Sequence, residues 1–136
     1  MKKDSLRYAR DIVAADPMAT FLGIRLKELR RAYACLSLDI RPEYLNSLGR
    51  AHGMALSALV DQAAAVAANS TASPALIAEI KVHFLDAVHP GDTVTAEAKA
   101  IDIKNTLSLW QVDVRDSSGK LVAAGQALGY HRPPEE

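Results

Sequence analysis

The chain has little of what several classes of protein require. It contains one cysteine, Cys35, in 136 residues, so it can form no internal disulfide and offers no CxxC pair for a metal or redox site. Its 16 basic and 16 acidic residues cancel, and neither sign forms a block, which argues against nucleic acid or an anionic membrane as a partner. The composition therefore predicts a protein of a reducing compartment, the cytoplasm.

Long apolar runs are also missing. None approaches the roughly 18 to 20 apolar residues that cross a bilayer, and residues 5–11 are too charged for the core of a signal peptide. His83, His89 and His131 lack the spacing of metal ligands, and no cofactor is predicted. With no repeat or linker, residues 1–136 are predicted to form one soluble domain with a sizeable core.

What the chain does contain is a clear change of periodicity. Residues 5–15 have apolar positions at helical spacing and end at Asp16-Pro17, and residues 18–23 are predicted to be an apolar connector. Apolar and polar residues then alternate, most clearly in residues 33–41. Strands are predicted at residues 24–31, 33–41, 76–85, 93–101, 106–115 and 121–130.

A long helix is predicted at residues 53–69, between the second and third strands. It consists mainly of strong helix formers, and its only charged residue is Asp61. A helix that is apolar nearly all round must be buried, against a sheet and a subunit partner. The order of elements predicts an α+β domain in which one antiparallel sheet wraps a single long helix, preceded by a short N-terminal helix.

The loop before this helix has the features of an anion-binding turn. His52 and Gly53 stand at the helix start, where backbone N–H groups lack partners and the helix dipole is positive. A substrate oxygen can approach the bare backbone of Gly53, as in an oxyanion hole. The alternative is that His52 is a capping residue and that Asn46 and Gly49 are ordinary turn residues.

Asp61 is the candidate base or nucleophile. A carboxylate on an apolar helix is costly to bury unless it is paired, hydrogen-bonded or at a cleft, and such acids are frequently functional. The alternative is that Asp61 and Gln62 form the one hydrated edge of the helix. Gly53 and Asp61 are roughly 12 Å apart along a helix, too far to reach one carbonyl together. Cooperation between them therefore requires a dimer.

The spaced motif Asn46-x-x-Gly49-x-x-His52-Gly53, with an acid nine positions after the histidine at Asp61, resembles the signature of hotdog-fold acyl-CoA thioesterases of the phenylacetate-pathway (PaaI-like) type. Weaker matches follow in the same order at residues 16–24, 41–46 and 90–94. The resemblance implies a hotdog fold, in which the sheet wraps the long helix, and assembly as dimers or dimers of dimers. It also implies an acyl-CoA substrate.

The resemblance further implies roles for individual residues. Asp61 acts as general base on water or as nucleophile on the thioester carbonyl. Asn46 and the Gly53 backbone N–H, from the other subunit, hold and polarise that carbonyl, and His52 positions the loop. The residues expected to contact substrate are Met54, Ile77, Ala78, Gly49 and Lys104.

Two positions depart from the pattern of the family. Relatives usually have a second glycine in place of Met54 and a hydroxyl residue in place of Ile77. These differences leave open a slower hydrolase, direct attack by Asp61, or a module that binds acyl-CoA without turnover. A hotdog dehydratase that depends on His52 is a further alternative. Trp110 and Phe84 are predicted to be core residues.

Overall fold

The computed structural model describes residues 4–132; the predicted domain, residues 1–136, extends beyond this range at both ends. The helices are α1 (Ser5–Tyr8), which continues as a π-helix (Ala9–Val13), α2 (Pro17–Leu22) and α3 (Gly53–Asn69), with a 3-10 turn at Pro42–Tyr44. The strands are β1 (Arg25–Arg30), β2 (Tyr33–Asp39), β3 (Ala75–Phe84), β4 (Thr93–Ile103), β5 (Leu107–Arg115) and β6 (Leu121–His131).

The six strands form one antiparallel sheet in the order β1-β2-β4-β5-β6-β3. Helix α3 lies across one face of this sheet and packs against β2, β3, β4, β5 and β6. The sequence prediction of an antiparallel sheet around one long helix is therefore confirmed. Strand β3 follows α3 directly and pairs with β6, so it forms one edge of the sheet.

The core lies between α3 and the inner face of the sheet. Leu36 and Leu38 of β2 are buried, as their alternation predicts, and so are Leu59 and Val60 of α3. Each fully buried aliphatic side chain of this size contributes roughly 1.5 to 3 kcal/mol of hydrophobic free energy. Trp110 is completely buried, which confirms the prediction that it is a core residue.

Helix α2 corrects the prediction of a connector at residues 18–23. The carboxylate of Asp16 accepts a hydrogen bond from the Ala19 backbone N–H at 2.9 Å and Pro17 occupies the first turn, so the Asp-Pro pair starts this helix as well as ending the previous one. Gly23 ends it with a φ of 80°, in the left-handed region that favours glycine. A six-residue helix is too short to show a clear period in sequence.

The predicted leading helix at residues 5–15 is present but irregular. Its second half, Ala9–Val13, is wound as a π-helix, a local expansion that is frequent at functional sites. The side-chain amide of Gln62 on α3 donates to the Val13 carbonyl at 2.7 Å, which ties this segment to the central helix. No helix within residues 4–132 has the length and hydropathy needed to cross a bilayer.

Candidate active site

A cavity of about 1010 Å³ lies beside α3. Its lining comes mainly from the N-terminal helical segment, α2, the loop before α3, one face of α3 and the start of β3. The residues from α3 are Met54, Ala55, Ala58, Asp61, Gln62, Ala65 and Asn69. Because these recur every three or four residues, they share one face of the helix, and the small alanines leave the space open.

Asp61 lies on the wall of this cavity and is exposed in the single chain. Its pKa is raised above the ordinary value for aspartate, first because neighbouring apolar groups partly desolvate it and second because Asp16 carries a like charge. Gln62, which the alternative interpretation placed on a hydrated edge with Asp61, is half-buried and bonded to Val13. Asp61 therefore faces the cavity as a lone carboxylate on its helix.

His52 caps the start of α3. Its ring Nδ1 accepts a hydrogen bond from the Met54 backbone N–H at 3.0 Å, and the backbone N–H of His52 donates to the Tyr44 carbonyl at 2.6 Å. Because Nδ1 accepts this bond, it is not available to a substrate, although His52 itself lines the cavity. The capping role in the alternative interpretation is therefore present. The Met54 N–H is already occupied, which leaves the Gly53 N–H as the donor of interest.

The Gly53 N–H has no hydrogen-bond acceptor among residues 4–132, as expected for the first turn of a helix. A Cβ at this position would lie 3.0 Å from the ring of Phe84. Phe84, predicted to be a core residue, is instead 52% exposed at the end of β3. That prediction is wrong because alternation along a strand shows which residues share a face but not how far the core extends. The ring therefore lies beside Gly53, on the side where a Cβ would stand.

Asn46 lies in the loop before α3 and is oriented by that loop. Its side-chain Oδ1 accepts from the N–H groups of Leu48 at 2.9 Å and Arg50 at 3.1 Å. The carbonyl oxygen of the amide is therefore occupied, and its NH₂ group is directed away from these two bonds. Gly49, with a φ of 74°, supplies the left-handed residue that this turn needs.

The structure brings together only part of the predicted site. His52, Met54, Asp61 and Ile77 line the cavity. The remaining predicted site residues, which lie outside it in the single chain, are Asn46, Gly49, Gly53, Ala78 and Lys104.

Lys104 lies between β4 and β5, with its Nζ 3.3 Å from Asp102. Its predicted contact with substrate stays a prediction, as do the roles of the other residues outside the cavity.

Several residues on the cavity wall escaped the sequence analysis. Asp16, Met18 and Phe21 come from α2, and Tyr8 comes from α1. The Asp-Pro pair before an apolar run was the signal that could have revealed α2 as a helix. Nothing in the sequence indicates that α2 and α3 line the same cavity, because the two helices are more than thirty positions apart along the chain.

A family model described as "Thioesterase superfamily" matches residues 48–123, more than half of the chain. The chain belongs to the thioesterase superfamily. It is therefore a thioester hydrolase by family, and the matched range includes α3 and Asp61. The resemblance drawn from the Asn46 to Asp61 motif is confirmed at this level.

Two relatives named as esterases or thioester hydrolases are similar to this thioesterase in sequence. A putative esterase of Archaeoglobus fulgidus is 30% identical over 115 residues, 85% of this chain and 75% of that protein. A 1,4-dihydroxy-2-naphthoyl-CoA hydrolase of Listeria monocytogenes is 27% identical over 104 residues, 74% of this chain and 84% of that protein.

A similar solved structure is that of the E. coli PaaI protein from the phenylacetic acid degradation operon. It superposes with a TM-score of 0.89 at 24% identity and covers 95% of this chain and 94% of its own. The thioesterase therefore has the same fold, and the hotdog architecture implied by the motif is confirmed.

Proposed function

We propose that this protein is an acyl-CoA thioesterase that hydrolyses an acyl or aryl-acyl CoA to the free acid and CoA. It acts in the cytoplasm as a homodimer or a dimer of dimers, each subunit being one domain over residues 1–136. Asp61 of one subunit is the base or nucleophile. Asn46 and the Gly53 N–H of the other subunit polarise the thioester carbonyl.

The position of Asp61 on α3, eight residues beyond the free N–H of Gly53, is the observation that supports this proposal most directly. Because α3 is a continuous helix, the two groups are about 12 Å apart along it, whereas a base and an oxyanion donor each need to lie about 3 Å from the reacting group. One chain cannot supply both groups to one carbonyl. Two antiparallel copies of α3 can.

The edge of the sheet supports a dimer of this kind. Strand β3 is ten residues long, and its outer edge has no strand partner among residues 4–132. Long unprotected edges are avoided in stable monomers because they invite pairing with another chain. Leu76 at the start of this strand is 69% exposed. Pairing of β3 with the same strand of a second copy would also bring the two α3 helices together.

The proposed reaction needs few groups. Asp61 takes a proton from water as the water attacks the thioester carbonyl, and the resulting oxyanion accepts hydrogen bonds from the Gly53 N–H and Asn46 NH₂ of the partner subunit. Collapse of this intermediate breaks the C–S bond, and the proton on Asp61 passes to the thiolate. A thiol has a pKa of about 8.5 and therefore leaves with little acid assistance. In the nucleophile alternative, Asp61 attacks directly and water hydrolyses the resulting anhydride.

The names of relatives favour a CoA thioester with an aromatic or apolar acyl group. One relative is named as a hydrolase of an aryl-CoA. The cavity is lined mainly by apolar side chains, including Ile12, Val13, Met18, Phe21 and Leu22, which are suited to a group of this kind.

The proposal is tested by thiol release from a panel of aryl and medium-chain acyl-CoAs. The wild-type protein is expected to release thiol from at least one substrate, and Asp61→Asn is expected to lower kcat by about 100- to 10,000-fold through loss of the base. Asp11→Asn, which removes an exposed carboxylate outside the cavity, serves as the control and should retain activity. If no member of the panel releases thiol, the protein is not an acyl-CoA thioesterase.

Met54 gives a reason to keep one second candidate, an acyl-CoA-binding module without turnover. Met54 is 70% exposed at the cavity, and its backbone N–H donates to His52. The start of α3 therefore offers the Gly53 N–H as an oxyanion donor but not the Met54 N–H. Calorimetry distinguishes the two functions. Tight binding of acyl-CoA, with equal and negligible hydrolysis by wild type and Asp61→Asn, would favour the binding module.

A further inference from the structure

The charges lining the cavity are all of one sign. Its titratable residues are Tyr8, Asp16, Glu43, Tyr44, His52 and Asp61. Among the described residues, no lysine or arginine contributes to its wall. Arg41 donates to the Phe21 carbonyl at the end of α2 but does not line the cavity. A mainly apolar space is therefore lined by three carboxylates and, among the described residues, by no lysine or arginine to balance them.

Of the two carboxylates other than Asp61, Asp16 is the one held in place by a hydrogen bond. It is half-buried, whereas Glu43 is exposed, and the N–H of Ala19 holds its carboxylate at the start of α2. Helix α2 is in turn anchored where the Tyr44 hydroxyl donates to the Leu22 carbonyl. The charge of Asp16 also raises the pKa of Asp61. Both carboxylates therefore line the same cavity.

We propose that this cavity selects uncharged acyl groups against acyl groups that end in a carboxylate, and that Asp16 is a specificity-determining residue for this choice. The inference rests on the proposed thioesterase function, since it assumes that the acyl group enters the cavity beside Asp61. Like charges brought together at a binding site repel one another when water is excluded and no cation compensates. An ω-carboxyl group in this cavity meets that repulsion, whereas a methyl or aryl end meets apolar side chains.

The same arrangement bears on product release. Hydrolysis of the thioester creates a carboxylate on the acyl product beside Asp61 and Asp16. The uncharged acyl group of the substrate therefore binds an apolar surface, while the carboxylate of the acyl product is repelled from it. The cavity thus discriminates by charge both when the substrate enters and when the product leaves.

Three acyl-CoAs of the same chain length test the inference on the intact protein: hexanoyl-CoA, 6-hydroxyhexanoyl-CoA and adipoyl-CoA. The wild-type kcat/KM for hexanoyl-CoA is expected to exceed that for adipoyl-CoA by about 100-fold or more. The hydroxy compound, polar but uncharged, is expected to lie much nearer to hexanoyl-CoA. If it is rejected as strongly as adipoyl-CoA, the selection is against polarity and the inference is wrong.

Asp16→Asn removes the charge and keeps a residue that caps a helix equally well. It is expected to raise the kcat/KM ratio of adipoyl-CoA to hexanoyl-CoA by about tenfold. Asp4→Asn is the matched control, because Asp4 caps α1 in the same way but does not line the cavity; it should leave the ratio unchanged. An unchanged ratio in Asp16→Asn would overturn the role of Asp16.

Binding measurements separate this inference from the proposed function. If no acyl-CoA is hydrolysed, the thioesterase proposal fails, and the dissociation constants of hexanoyl-CoA and adipoyl-CoA are compared by calorimetry instead. The same preference of about 100-fold is expected in Kd. Equal hydrolysis or equal binding of the two ligands by the wild-type protein would overturn the charge selection, whichever function the protein has.

Discussion

Asp61 is the only charged side chain on the seventeen-residue helix α3. It faces a mainly apolar cavity and shares that cavity with Asp16. Partial burial and the like charge of Asp16 both disfavour its ionised form and raise its pKa. A carboxylate with a raised pKa is, once ionised, a stronger base than an ordinary one.

The first prediction concerns the pH dependence of hydrolysis. Asp61 works as base or nucleophile only when ionised, so kcat/KM is expected to rise with pH through a pKa above the ordinary aspartate value. Asp16→Asn removes one of the two causes of the raised pKa and should therefore move this acid limb to lower pH. The profile is measured with hexanoyl-CoA for wild type, Asp16→Asn and Asp4→Asn. An acid limb at the same pH in all three proteins would contradict the electrostatic coupling.

Individual residues of the site differ in how well the sequence predicted them. Asp61 was predictable because a single acid among alanines, leucines and valines breaks a local pattern. His52 was correctly placed at the helix start, because helix signals are local as well. Asp16 was seen only as part of the stop of the leading helix. Its effect on Asp61 depends on where the start of α2 lies relative to α3 in the folded chain, which no local pattern contains.

A buried polar cluster joins strands β5 and β6 to the loop after α3. The Trp110 indole N–H donates to the Ser108 hydroxyl at 2.7 Å, and that hydroxyl is 2.7 Å from His131 Nε2. His131 Nδ1 lies 2.7 Å from the Ala72 carbonyl. A Cβ at Gly129 would lie 2.7 Å from the Ser108 hydroxyl oxygen, so glycine makes room for the cluster. The cluster links β5, β6 and the loop that leads to β3.

The second prediction follows from this cluster. Ser108→Ala leaves the Trp110 N–H and His131 Nε2 buried without a partner, which is expected to lower the free energy of unfolding by about 2 to 4 kcal/mol. Ser117→Ala, at an exposed position in the turn between β5 and β6, should change it by less than about 0.5 kcal/mol. Urea unfolding monitored by Trp110 fluorescence measures both. Equal stability of the two variants would show that the cluster makes no net contribution to the free energy of unfolding.

At the level of elements, the prediction succeeded wherever a periodic pattern was long enough. The range 53–69 of the central helix was exact, and all six strands were found with small differences at their ends. Helix α2 was missed because six residues do not establish a period. The π-helix at Ala9–Val13 was missed because its hydrogen bonds differ from those of an α-helix while its sequence does not.

In the proposed mechanism, the whole molecule is organised around two half-sites, which are the Asn46 and Gly53 donors at one end of α3 and the Asp61 carboxylate eight residues beyond Gly53. In the proposed dimer, each active site contains one half-site from each subunit. The dimer has a two-fold axis, so both sites are equivalent. This arrangement makes a prediction about mixed dimers that a site within one chain does not make.

The third prediction is therefore subunit complementation. Asp61→Asn and Asn46→Ala are each expected to be nearly inactive. In their mixed dimer, one site contains both substitutions and the other contains neither. An equal mixture that exchanges subunits freely is expected to recover about a quarter of the wild-type activity, because half of the dimers are mixed and each has one intact site.

Controls for this experiment are straightforward. Each variant alone, treated in the same way, measures its residual activity, and size-exclusion chromatography with light scattering establishes that the variants remain oligomeric. A mixture no more active than the average of its two components would mean that Asp61 and Asn46 act within one chain. A monomeric wild-type protein would rule out the shared site altogether.

The sequence by itself determined the central helix with its single acid, the alternation that builds the sheet, and the spaced motif from Asn46 to Asp61 that placed the chain in its family. These features are local, since helix and strand periods and cap signals depend on residues close together in the chain. Only the tertiary structure decided that α2 and α3 line one cavity, that Asp16 adds a second negative charge there, and that the ring of Phe84 lies beside Gly53. Those contacts join distant segments, and they depend on how the elements pack rather than on the pattern within any one of them.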